Sequence, residues 1–443
     1  MKMLRWLTRI GPAFVIAAVV LGPGSVTTMT KMGAARGYAM LWLPLLAGIL
    51  MAGFVTLFMR FGITSEKSFL QHCADTWGRP FAALAGFSMF YIATAFQFGN
   101  NMGVATAVNS LLTRGGAPPP VPVWVWPIAF NALALAFLFA FRRIYTILER
   151  MMTALVAIML VAFLANLFVA KPDVGGIVRG FVPSLPATAG EWLIAVGLVA
   201  TTFSIVGAIF QTYMVRARGW READYGKGVA DAVSGIGMLA VISMVIMTTA
   251  AAILHGREAT IKTAGDMAVL LESLLGGGAR LVFCIGFFSA AFSSFLVNAM
   301  IGGTLLADGL GKSDDINSMP AKLGSALSLL VGMAVALIIL VGGRISKADA
   351  LVAGQAGTLL AMPLAVLATL VVLYHPRGSG ARPLRLPAKL FVAVGTVVLL
   401  AITAKLYKGA YDRWLAPPKP APAPTAPAAP GTGTAPAPGT ETP

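Results

Sequence analysis

About eleven apolar stretches of roughly twenty residues each, joined by short loops, leave this chain few folds to adopt. They lie near residues 10–33, 39–62, 81–112, 123–141, 148–170, 191–218, 229–254, 279–307, 324–343, 350–374 and 388–406. Each is long enough to cross a bilayer core as a helix, the one open structure that satisfies its own backbone in lipid. Composition agrees, with 58% hydrophobic and only 11% charged residues, which excludes an ordinary soluble protein. The expected class is an all-α integral membrane protein with the lipid bilayer as its constant partner.

The formal net charge of +16 invites a nucleic-acid reading, but the basic residues are scattered among short loops rather than gathered on one face. Topology accounts for them better. With the N-terminus in the cytoplasm, the cytoplasmic segments hold about nineteen Lys/Arg and the opposite loops about nine. An odd number of spans then places the C-terminus outside, and an inner (plasma) membrane of bacterial type is the expected location. Residues 1–415 read as one transmembrane unit, whereas 416–443, rich in Pro, Ala and Thr, read as a disordered tail. Two cysteines, Cys73 and Cys284, and three histidines show no disulfide or zinc spacing, and no cofactor is expected.

Within the first run stands Gly22-Pro23-Gly24-Ser25. A proline between glycines removes a backbone donor and permits non-helical dihedrals, so the helix is expected to break at Gly22, Pro23 and Gly24. At membrane depth a break is tolerated where protein buries it or where it lines a polar cavity. A simple proline kink is the plain alternative. The sixth run holds Thr201, Thr202, Ser204, Gly207 and Gln211, and Gly207 marks a candidate second unwound point. The third carries Gln97, Asn100, Asn101 and Asn109 close to one helical face, read either as interhelical bonding or as a cavity wall. The eighth run ends in Ser293, Ser294, Asn298, Gly302, Gly303 and Asp308, and its small residues suit tight packing; the tenth carries Gln355, Gly357, Thr358 and Pro363.

In order and spacing, several segments resemble the natural-resistance-associated macrophage protein (Nramp) family of proton-coupled divalent metal transporters. They are Gly22-Pro23-Gly24-Ser25 with Gly33 and Gly37-Tyr38; Ile63 to Lys67 ending in Gly78-Arg79-Pro80; and Phe141-Arg142-Arg143 through Leu148-Glu149. Ala170 to Asp173 with Val182 to Pro186, Arg216 to Arg218, and Ser293-Ser294 through Gly303 to Asp308-Gly309 complete the set. The resemblance implies a LeuT-like fold of two inverted five-helix repeats (5+5) plus additional helices, with helices 1 and 6 broken. It also implies a midplane site built from Gly22, Ser25, Thr201, Ser204, the Gln97/Asn100 face and Gln355.

At that site the ligand side chains of the family are replaced. Its Asp-Pro-Gly-Asn motif stands here as Gly22-Pro23-Gly24-Ser25, and its sixth-span Met-Pro-His falls at Ser204-Ile205-Val206. The third-span Asp and Glu fall at Gln97 and Asn100, and a tenth-span glutamine falls at Ala361, two turns after Gln355. All seventeen Asp/Glu lie in loops, the tail or span ends, Asp231 and Asp308 being the deepest. An ion pair at about 4 Å is worth about 4 kcal/mol at an effective dielectric of about 20, so a carboxylate-free site should bind divalent ions far more weakly. Without methionine, the preference for softer transition metals goes too.

The expected function is therefore secondary transport of a small cation, with reduced transition-metal selectivity and weak or no proton coupling. A small neutral or zwitterionic solute is the first alternative, and a non-transporting membrane sensor or interaction protein the second. No nucleophile stands beside a base, so an enzyme is not expected. The sequence assigns no oligomeric state.

Overall fold

In a computed structural model of the chain, residues 20–112, 121–140, 144–256, 272, 277–342, 347–375, 380 and 383–414 are described. The first half of span one, the proline-rich loop at 117–120 and the tail at 416–443 lie outside the described residues.

The described residues are helical almost throughout: α1 Pro23–Arg36, α2 Trp42–Thr64, α3 Phe69–Trp77, α4 Arg79–Leu112, α5 Val125–Ala140, α6 Ile144–Ala170 and α7 Val174–Arg179. Then follow α8 Ala189–Thr202, α9 Ile205–Ala217, α10 Tyr225–Leu254, α11 Gly277–Gly309, α12 Met319–Gly342 and α13 Lys347–Gly357. A 3-10 turn at Thr358–Ala361 leads into α14 Met362–Tyr374, and α15 Leu386–Trp414 closes the series. Taken with α8–α9 and α13–α14 as single spans, eight stretches among the described residues are long and apolar enough to cross a membrane, and α5 and the Ala154–Ala170 part of α6 are shorter apolar helices. The loop after α6 is more ordered than its turn chemistry predicts, because Asp173 accepts the Gly175 and Gly176 N–H groups and so caps α7.

Polar side chains in these helices mostly bond within their own turn, as lipid requires. Thr28 donates to Gly24 O at 3.0 Å and Thr30 to Val26 O at 2.8 Å. The helix ends where Gly37 takes φ 59° and its N–H donates to Gly33 O. Helix α11 packs along α4, α6 and α12, while α1 lies between α10 and α8. Small residues let the backbones close up: a Cβ on Gly33 would stand 2.4 Å from Met247 O of α10.

A neutral cavity between two broken helices

Span one breaks at Leu21-Gly22. Gly22 takes an extended conformation (φ −93°, ψ −178°) as N-cap, and Pro23 occupies the first helical position, where its missing N–H costs nothing. The break leaves Val20 O without a helical donor, and two groups supply it: Ser25 Oγ at 2.8 Å and Gly22 N–H at 3.0 Å. Gly24, expected among the breaking residues, instead lies inside the first turn of α1. Its missing side chain serves a close approach, because a Cβ there would stand 2.1 Å from Gln355 Nε2.

The second break differs from expectation by three residues. Helix α8 stops at Thr202, Phe203 (φ −97°, ψ 71°) and Ser204 (φ −81°, ψ 96°) are non-helical, and α9 starts at Ile205. Gly207 is thus helical, not a breaking residue. The reason is local: Ser204 Oγ accepts the Gly207 N–H at 3.2 Å, so the serine caps α9 and Gly207 is the third residue of its first turn. A cap, not a glycine, does here what the proline does in span one.

Between the two breaks lies a cavity lined by Val20, Gly22, Gly24, Ser25, Phe96, Asn100, Thr201, Ser204, Asn298 and Gln355. It has room for about one water-sized sphere. Six of the seven expected binding residues meet there: Gly22, Ser25, Asn100, Thr201, Ser204 and Gln355. Gln97 does not line it. That side chain is fully buried one layer behind, where its Oε1 accepts from Asn100 Nδ2 at 3.2 Å and so orients the cavity amide. Gly332 of α12 makes the space, since a Cβ there would stand 2.8 Å from the Gln97 side chain. Further along, Asn101 donates to Gln97 O and accepts from Asn131, so an amide chain runs from the cavity wall to α5.

Four lining residues were not among the expected binding residues: Val20, Phe96 and Asn298, and Gly24, which was expected only as a helix break. Asn298 carried a signal, as an amide one turn beyond Ser294 in an apolar span is costly unless it faces protein or a polar space. Ser294 Oγ itself would stand 3.1 Å from a Cβ on Gly22.

No lining residue bears a charge, and among the described residues no group of three or more His, Cys, Asp or Glu comes together. The cavity offers neutral oxygens and amide nitrogens. Two of its buried amide atoms lack partners, Gln355 Oε1 in the wall and Gln97 Nε2 behind it. An acceptor without a donor in a water-excluded wall is a group that a bound ion, water or polar solute would satisfy.

Among the described residues, the non-helical Leu21-Gly22 ahead of α1 and the non-helical Phe203-Ser204 between α8 and α9 face one buried polar cavity, the arrangement of a broken-helix, LeuT-like transporter fold. Residues 13–407 match the family described as natural resistance-associated macrophage protein-like, and the chain belongs to that family. Among curated relatives, the divalent metal cation transporter MntH of Deinococcus radiodurans is 24% identical over 411 residues, covering 90% of this chain and 88% of that protein. The MntH of Acidiphilium cryptum is 25% identical over 407 residues, 89% of each. A crystal structure of a mutant manganese transporter from Eremococcus coleocola superposes with a TM-score of 0.77 at 14% identity, over 93% of this chain and 89% of that one. Mhp1, a nucleobase-cation-symport-1 family transporter in a closed conformation with bromovinylhydantoin bound, gives a TM-score of 0.55 at 12% identity, over 91% and 93%. At such identities these two speak for the fold alone.

Proposed function

We propose that this protein is a secondary transporter of metal cations whose midplane site is electrically neutral, so that it holds its cation weakly, discriminates poorly among transition metals and carries no strong proton coupling. The curated relatives are divalent metal transporters, which supports the substrate class. The observation that carries the remainder is the uncharged lining of the cavity. Amides, hydroxyls and the carbonyls at the two broken ends supply neutral oxygen contacts to a cation. They cannot replace the several kcal/mol that a carboxylate gives a divalent ion.

The site assignment is tested by rebuilding charge. Gly22→Asp, Ser25→Asn and Ser204→Met together should raise Mn²⁺ affinity, read by calorimetry on purified protein. A Cβ at position 22 stands 3.2 Å from Asn100 Oδ1 and 3.1 Å from Ser294 Oγ, contacts that a small side-chain shift relieves. If the triple variant folds and gains no affinity, the cavity is not the site.

One observation favours a second reading. The N-terminal end of α1, with its partial positive charge, opens onto a cavity without any acidic group, which suits the carboxylate of a small zwitterion. Thermal shifts with amino acids but not with metal ions would select it.

A further inference from the structure

Apart from the cavity, Asp308 is a buried carboxylate, 4% exposed at the end of α11. Three donors from two other elements converge on its carboxylate. Ser68 Oγ donates to Oδ1 at 2.8 Å, Leu70 N–H to Oδ2 at 3.2 Å and Tyr213 OH to Oδ2 at 2.6 Å. Ser68 is the N-cap of α3, where its Oγ also accepts from Gln71 N–H at 3.1 Å, and Leu70 N–H belongs to the first turn of that helix. Tyr213 stands on α9, the second half of broken span six. A single buried carboxylate thus holds the connector helix α3 to α11 and to the half-helix that frames the cavity.

Among the described residues no ion pair includes Asp308; Arg79 of α4 donates to its main-chain oxygen at 3.3 Å instead. The other groups facing it are Cys73 on α3 and Asp314 beyond α11, and Asp314 is paired with Arg216 at 3.2 Å. His72 of α3 is turned to His375 O at 2.8 Å. Two opposed influences act on Asp308: burial disfavours its charge, while three hydrogen bonds and the positive end of α3 favour the ionised form.

We propose that Asp308 is a proton-operated latch: ionised, it clasps α3 against α9 and α11, and on binding one proton from water on its own face of the membrane it releases α3. Protonation forms one O–H bond at a carboxylate oxygen as a hydronium ion gives up one of its own, and it removes the charge that strengthens all three contacts. A proton taken up and released on one face moves no charge across the membrane, so the latch gates the pathway without coupling it. Its purpose rests on the transporter reading; its geometry does not.

Cys73 reports the state of the latch. It is fully buried on α3, and burial, with the Asp308 charge added, pushes its thiol well above the usual range, so it is inert while α3 is docked. The experiment uses the full chain with Cys284→Ser in liposomes, labelled with N-ethylmaleimide, each rate divided by that of the denatured protein at the same pH. The ratio is expected to rise about tenfold as pH falls from about 8 to about 5, the scale set by hydrogen bonds to a charged group. Asp308→Asn should label fast at every pH, and Asp308→Glu should restore the pH dependence. Ser68→Ala, which removes one donor and keeps the carboxylate, should move the rise to higher pH, because the ionised form loses support. A ratio in the unsubstituted background that is flat with pH, or a rise that Ser68→Ala leaves unmoved, overturns the latch whether or not Asp308→Asn folds. Labelling needs no transport, so this outcome is independent of any uptake result.

Discussion

Gly24 and Gln355 are the residue pair on which the cavity's size depends. The glutamine amide fills space that only a glycine leaves, so Gly24→Ala is expected to destabilise the protein by about 1–3 kcal/mol through overpacking. Gln355→Ala should remove most of that penalty when combined with it. A double-mutant cycle on unfolding free energy measures the coupling, and additive effects would show that the two residues do not meet. Ser25 carries a separate load. Ser25→Ala leaves Val20 O with only the Gly22 N–H, and a loss of about 1 kcal/mol is expected in the same assay.

At the scale of elements, the two breaks are built by different chemistry and should fail differently. Ser204→Ala removes the cap of α9 and is expected to cost about 0.5–2 kcal/mol, whereas the span-one break is set by Pro23 and keeps its position under any such change. Helix seams impose their own limit. Gly33→Ala pushes a methyl into Met247 O and should separate α1 from α10 at a cost of about 1–3 kcal/mol, seen as a lowered melting temperature. These cases also show why one break was legible in the sequence and the other misplaced. Gly22-Pro23 breaks a helix by backbone chemistry that is written locally. The stop after Thr202 has no proline or glycine; it comes from Ser204 turning its hydroxyl to Gly207 N–H, and a serine in an apolar span bonds back to its own helix just as readily.

For the whole molecule, spans and their order were legible because bilayer thickness fixes helix length, and the family resemblance carried the broken-helix fold. What the sequence left open was depth. Asn100 and Gln97 share a helical face, yet one lines the cavity and the other supports it from behind, a distinction set by the packing of α12 at Gly332. Asn298 reached the cavity because α11 crosses α4 there, a tertiary fact that spacing does not encode. Across all these spans, a cavity without a carboxylate predicts weak desolvation of divalent ions whatever their identity. The most direct test is uptake of Mn²⁺ at micromolar concentration into proteoliposomes, with internal pH followed in parallel. The neutral site predicts no saturable Mn²⁺ uptake in that range and no proton entry driven by the metal; tight, saturable Mn²⁺ uptake accompanied by protons would contradict it.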